Sequence, residues 1–409
     1  MAGLTHDPEK KTRARVAIVA AGVVSPLGAG LDATRDALRE GRDCISPVTR
    51  FSVAECRCKT AGQVDDAWLA GVAPNDRKSR RLHRAARMLI VALRELLAQS
   101  PGFRPELTII GTTSGGMSFG ENYYRALLRE KHPPRELAAW IANYPPQKPI
   151  VDALEACCLA SPCQVIANAC ATGTNALGHA FNCIRTGRCE RILAGGYDAL
   201  SELVFVGFDS LQAATPEKCR PFDRDRTGLV LGEGAALFAL ENFEAAETRG
   251  AKILGEIIGY GISTDNHHLT QPNPSGIGPR QAMEGALRSA GLAPNDIDYV
   301  NAHGTATPFN DAAEGRAIAD LLGCVPVSST KAMMGHSLGA AGAIEAAITL
   351  LALRDRFLPA NLNFRAADDD LDLDIVADQP RPAECARVAL SNSFGFGGTN
   401  ASIVLAAAA

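Results

Sequence analysis

Short unbroken apolar runs alternate along this chain with longer stretches in which apolar positions recur every three or four residues. The first pattern suits strands buried on both faces and the second suits amphipathic helices. Residues 15–24 form one such run and predict a buried strand, followed by a turn at Ser25-Pro26-Leu27-Gly28. A helix is expected over 31–40, and 41–74 reads as irregular with short strand-like pieces. Over 83–99, Ala86, Leu89, Ile90, Leu93, Leu96 and Leu97 share one helical stripe. The run from Leu107 enters a glycine-rich turn ending at Gly116. Residues 119–159 read as mostly helical, interrupted by Pro133-Pro134 and Pro145-Pro146. A strand is then expected from Cys163, a helix over 171–184 that stops at Gly187, and a strand over 191–196.

After a charged loop at 220–228 and a strand over 235–240, the plan repeats from about Tyr260. Helices are expected over 279–290, 311–322 and 338–354, strands over 299–302 and 325–328, and closing strands near Val388 and Ile403. Strand–helix alternation predicts an α/β protein with a largely parallel sheet between helices. In both parts a strand leads into a helix rich in small residues, at Cys170 and again at Leu338-Gly339-Ala340-Ala341-Gly342-Ala343. A duplicated core follows, with a first half over 1–259 and a second over 260–409. Residues up to Asp7 read as a disordered leader.

Composition narrows the function. With 409 residues, 46% of them hydrophobic, the chain can bury a large core. Its net charge of -4 argues against a nucleic-acid binder, and the basic runs at 10–15 and 77–81 read as solvated surface. The 12 cysteines include no Cys-x-x-Cys, and His267-His268 lacks the spacing that puts two ligands on one helical face, so neither a disulfide framework nor a metal site is expected. A secretory apolar segment and a membrane-length run are both missing, which reads as a reduced, cytoplasmic chain.

Chemistry concentrates at Cys170, which follows an apolar strand and opens a helix. A thiol in a first helical turn faces unpaired N–H groups and the positive end of the helix dipole, which favours a reactive thiolate near neutral pH. A lone cysteine is more often structural, and a lone histidine more often a surface or core residue. His303 follows a strand end, His336 precedes a helix, and Phe394-Gly395-Phe396-Gly397-Gly398 forms a glycine-rich turn. A strand rather than a helix follows that turn, so it is no dinucleotide fingerprint. Its glycines suit backbone donation to a substrate oxygen.

Taken together, Asn168-Ala169-Cys170-Ala171-Thr172-Gly173, the 220–228 loop, Asn301-Ala302-His303-Gly304-Thr305-Ala306-Thr307-Pro308, Lys331 with Gly335-His336, and the turn at 392–400 resemble the elongating β-ketoacyl-acyl carrier protein synthases (KAS I/II type). The resemblance runs from about Arg15 to Leu405. It implies a thiolase fold, a duplicated five-layered α-β-α-β-α core, usually as a homodimer. It also implies decarboxylative condensation of an acyl group held on Cys170 with malonyl-acyl carrier protein, in fatty-acid or specialised polyketide or polyene synthesis. His303 and His336 would donate to the thioester carbonyl, and Lys331 would tune the site. Backbone N–H groups of Cys170 and Phe396 would form the oxyanion hole. Thr305 and Thr307 would line the phosphopantetheine tunnel, Phe396 would gate the acyl compartment and Phe208 would line it. Asp311 and Glu314 read as first-turn acids, and Glu345 as a member of a buried network. No bound cofactor or metal is implied, since substrates arrive on the phosphopantetheine of the acyl carrier protein. A heterodimer with a chain-length-factor-like subunit is the alternative assembly. A coenzyme A-dependent thiolase would need a second cysteine in the C-terminal turn, an initiating ketosynthase would use Cys-His-Asn, and a chain-length factor would lack the nucleophile.

Overall fold

The computed structural model describes residues 13–72, 81–129, 141–369 and 371–408. The expected leader, the first part of the basic run at 10–15, nearly all of that at 77–81 and the Pro133-Pro134 pair lie outside the described residues. Two half-sheets carry the structure. In the first, strands lie in the order Cys163–Ile166, Leu107–Gly111, Arg191–Asp198, Gly234–Asn242, Val16–Ser25. In the second the order is Pro326–Ser328, Tyr299–Asn301, Val388–Gly395, Thr399–Ala407, Gly255–Thr264, with Asp374–Ile375 added at the edge. The two orders match position by position, so the duplication faint in the sequence is plain in the topology. Val16–Ile18 pairs with Gly255–Ile257 and joins them into one continuous sheet.

Each half-sheet is parallel through three strands and antiparallel through the next two, so the expectation of a largely parallel sheet needs correction. For one pair of the second half the reason is local: the turn between Val388–Gly395 and Thr399–Ala407 is too short for the crossover that a parallel pair requires. The strand Gly255–Thr264 spans the boundary expected between residues 259 and 260, because its apolar run begins before Tyr260.

Helices Arg84–Gln99 and Lys148–Ala156 pack on the outer face of the first half-sheet, and Ile277–Ala290 and Pro308–Leu322 on that of the second. Between the half-sheets lie Thr172–Arg185 and Ala341–Asp355, which touch each other and strands of both halves. This is the five-layered arrangement of the thiolase fold. A helix held from all sides must be apolar all round, and Ala341 through Leu353 is buried without a break. Glycine lets the pair approach: a Cβ on Gly173 would stand 2.8 Å from the Ala343 nitrogen. Predicted elements otherwise recur within a few residues, with His83 capping Arg84–Gln99 through its ring nitrogen.

Candidate active site

The strand Cys163–Ile166 ends at a tight elbow in which Ala169 takes a left-handed backbone (φ 54°). Helix Thr172–Arg185 starts with Ala171 as its cap, so Cys170 lies just outside the helix rather than in its first turn. Only 6% of Cys170 is exposed. His303 follows the strand Tyr299–Asn301, and the carboxylate of Glu314 accepts the backbone N–H groups of His303 and Gly304, each at 2.8 Å. The loop of His336 is seated against another strand-like segment: its N–H donates to the Val230 carbonyl at 2.7 Å, and its carbonyl accepts from Gly232 at 2.8 Å. These three supports bring the sulfur and one nitrogen of each imidazole within 4.8 Å of one another. The two rings meet edge to face, with centroids 5.2 Å apart.

The site is deeply buried, and its titration follows from that. Burial holds both imidazoles well below their ordinary range, and the Lys331 ammonium pushes the same way, so both stay neutral and can donate N–H. Lys331 is fully buried with its Nζ on the Glu345 carboxylate, far from the surface turn that an unplaced lysine suggests. Burial also pushes the Cys170 thiol up to about 12, Lys331 and the Phe396 N–H pulling it back. The expected thiolate at neutral pH is therefore corrected: desolvation outweighs the helix terminus, from which Cys170 is displaced in any case.

A cavity of about 220 Å³ opens onto these groups. Phe208, Thr305, Thr307, Phe394 and Phe396 line it beside Cys170, His303 and His336. The Thr305 and Thr307 hydroxyls are bonded to each other at 3.0 Å, and the rings of Phe208 and Phe396 are stacked at 5.5 Å. In the glycine-rich turn, Gly397 N–H donates to the Leu269 carbonyl and Gly398 N–H to that of Gly395. Those two are thus spent within the protein, and of the turn's donors it is the Phe396 N–H that favours the Cys170 thiolate.

The comparisons with known proteins bear on this geometry. The model for the N-terminal domain of beta-ketoacyl synthases matches residues 13–246, and that for the C-terminal domain residues 254–365. The chain belongs to the β-ketoacyl synthase family. A 3-oxoacyl-[acyl-carrier-protein] synthase 2 from Synechocystis is 37% identical over 97% of this chain and 98% of its own length. Among solved structures, the ishigamide ketosynthase/chain length factor superposes with a TM-score of 0.91 at 32% identity, covering 97% of this chain and 100% of that one. A type II polyketide ketosynthase solved with its acyl-carrier protein gives 0.84 at 26% identity, with the same coverage. Membership makes this chain a condensing acyltransferase.

Several site residues escape a reading of the sequence alone. Glu314, expected as a first-turn acid, lies in the second turn of Pro308–Leu322, where burial pushes its pKa up to about 7 while it clamps His303. Asp311 accepts from Phe222 and Ala306 and so ties the charged loop to the Thr305 segment. Two acids three apart on the same helical face as Gly315 and Ile318 were the available signal.

Proposed function

We propose that this enzyme joins an acyl group, held as a thioester on Cys170, to malonyl-acyl carrier protein with loss of CO₂. The observation that carries this reading is the convergence of one sulfur and two neutral imidazoles at the end of a cavity. In the first step Sγ attacks the incoming thioester carbonyl. The thiol proton passes through the adjacent imidazole to the departing carrier thiol, and the acyl group stays on Cys170. In the second, the bond between the malonyl carboxylate and its methylene breaks and CO₂ leaves with the carboxylate carbon. The electron pair left behind is held as an enolate whose oxygen accepts N–H bonds from His303 and His336. The enolate carbon then attacks the acyl carbonyl, whose oxygen faces the N–H groups of Cys170 and Phe396. The C–S bond breaks, and the sulfur regains a proton from solvent. The product is a 3-oxoacyl thioester two carbons longer.

Neutral imidazoles suit this task because they donate a hydrogen bond without quenching the carbanion. Burial keeps them neutral, and the charge of Lys331, paired with Glu345, adds to it. Thr305 and Thr307 would meet the phosphopantetheine arm, and Phe396 against Phe208 would separate it from the acyl compartment. The working unit is a dimer, with a second copy or a chain-length-factor-like subunit, acting in the cytoplasm on carrier-bound substrates of fatty-acid or polyketide synthesis.

Intact mass of the purified protein after incubation with acyl- and malonyl-loaded carrier tests the proposal. The wild type should gain the acyl mass and release a product extended by two carbons, and Cys170→Ala should do neither. Indistinguishable behaviour of the two would overturn it.

A further inference from the structure

Asp198 ends the strand Arg191–Asp198 with no exposure to solvent, and five donors converge on its carboxylate. Oδ1 accepts the Thr112 hydroxyl at 2.7 Å, and the Ser114 N–H and hydroxyl at 2.8 and 2.7 Å. Oδ2 accepts the Thr113 N–H at 2.9 Å and, from the other half of the molecule, the Gly339 N–H at 2.7 Å. Among the described residues no cation pairs with it. A fully buried carboxylate surrounded by donors alone is costly to keep unless its geometry serves something.

What it holds lies on both sides of the reacting groups. Thr113, fixed through its N–H, sends its hydroxyl to the Ala169 carbonyl at 3.2 Å, next to Cys170. Gly339 sits three residues past His336 in the same loop. Each loop carries a non-glycine residue in the left-handed region, Ala169 at φ 54° and Leu338 at φ 53°. Such backbone persists only where its surroundings over-determine it. Gly339 also has no room for a side chain: a Cβ there would lie 2.6 Å from the Thr113 nitrogen and 2.7 Å from Asp198 Oδ2. Its carbonyl in turn leaves no room for a side chain on Gly173 or Gly196, where a Cβ would lie 2.8 and 2.6 Å from that oxygen.

We infer that Asp198 is a positioning residue for the condensation: one carboxylate spans the two halves and fixes the His336 loop relative to the Cys170 elbow. The inference rests on the reading under Proposed function, since it concerns the distance between the sulfur and an imidazole that must act together. In Asp198→Asn the side-chain shape is kept, but an NH₂ group must face N–H donors, so one of the two loops is released.

The test compares wild type, Asp198→Asn and Thr113→Val as full-length, assembled enzymes. Thr113 is exposed, so its valine variant removes the hydroxyl bond to Ala169 without threatening the core. The measurements are kcat and KM for malonyl-carrier, melting temperature, and the rate at which iodoacetamide alkylates Cys170. Asp198→Asn should lower kcat about 100-fold with KM within threefold of wild type, and Thr113→Val about fivefold at an unchanged melting temperature. The negative charge of Asp198 opposes ionisation of Cys170, so a purely electrostatic role predicts alkylation and turnover rising together in the asparagine variant. Positioning predicts alkylation at or above the wild-type rate while turnover falls. Turnover within threefold of wild type in both variants, or rising with alkylation, would overturn the inference. Should Asp198→Asn fail to fold, Thr113→Val decides alone. An inactive wild type would count against the proposed function instead.

Discussion

At Cys170 two influences oppose each other. Removal from water penalises the thiolate, while Lys331 and the Phe396 N–H favour it, and the first wins. Because the thiol is pushed up to about 12, alkylation of the free enzyme should rise about tenfold per pH unit past pH 9. Iodoacetamide rates read from the mass of the Cys170 peptide check this, and a plateau at neutral pH would contradict it. His303→Ala and His336→Ala should each lower malonyl-carrier decarboxylation at least 100-fold, measured as CO₂ release, because in the proposed mechanism each donates to the developing enolate. Glu314 gives a pH effect on stability. Its folded pKa, about 7, stands above its ordinary value of 4.5, so the folded state binds the extra proton and this group's contribution falls as pH rises from 4.5 to 7. Melting curves of wild type and Glu314→Gln should therefore converge, or cross, over that interval. Cys170 and both histidines were legible because each sits in a distinctive local motif. Glu314 and Asp198 were not, since what gives them their place is backbone N–H groups distant in sequence.

Among the elements, the two central helices show how far composition can be read. Small residues over 171–184 and 338–354 announced close packing, and the structure bears this out. The left-handed Leu338, at the start of the expected helix and of the 3-10 turn that precedes Ala341–Asp355, gave no signal, because leucine there is dictated by its surroundings rather than by preference. Gly178, in mid-helix, tests the packing. Alanine normally stabilises such a position by up to about 1 kcal/mol. Here its Cβ would fall 2.2 Å from the Tyr260 ring, which cannot swing aside while its hydroxyl is bonded to Asn175 at 2.7 Å. Overpacking of about 1–3 kcal/mol should outweigh the helical gain. Gly178→Ala should lower the melting temperature, and an unchanged or higher value would show that the ring can yield.

At the scale of the whole molecule, helix Met117–Arg129 stands out among the described α-helices, since it buries none of its own residues. Tyr124 and Leu128 are 63% and 70% exposed, and Leu203 nearby is 59% exposed. Apolar surface of this extent suits a subunit contact. If the proposed dimer uses this face, Leu128→Glu should shift the light-scattering mass from dimer to monomer, and an unchanged dimer would place the contact elsewhere. The matched strand orders of the two half-sheets were foreshadowed only by the repeated strand-to-small-residue-helix pattern, because topology survives long after side chains diverge.

The protonated, desolvated sulfur at Cys170, in a cavity that stacked phenylalanines also line, has a consequence beyond turnover. Peroxides and soluble electrophiles attack thiolates, so an idle enzyme offers them a poor target. Its vulnerability should begin only when a delivered arm enters the cavity. The same burial that slows the unassisted thiol thereby protects the catalyst between rounds of synthesis.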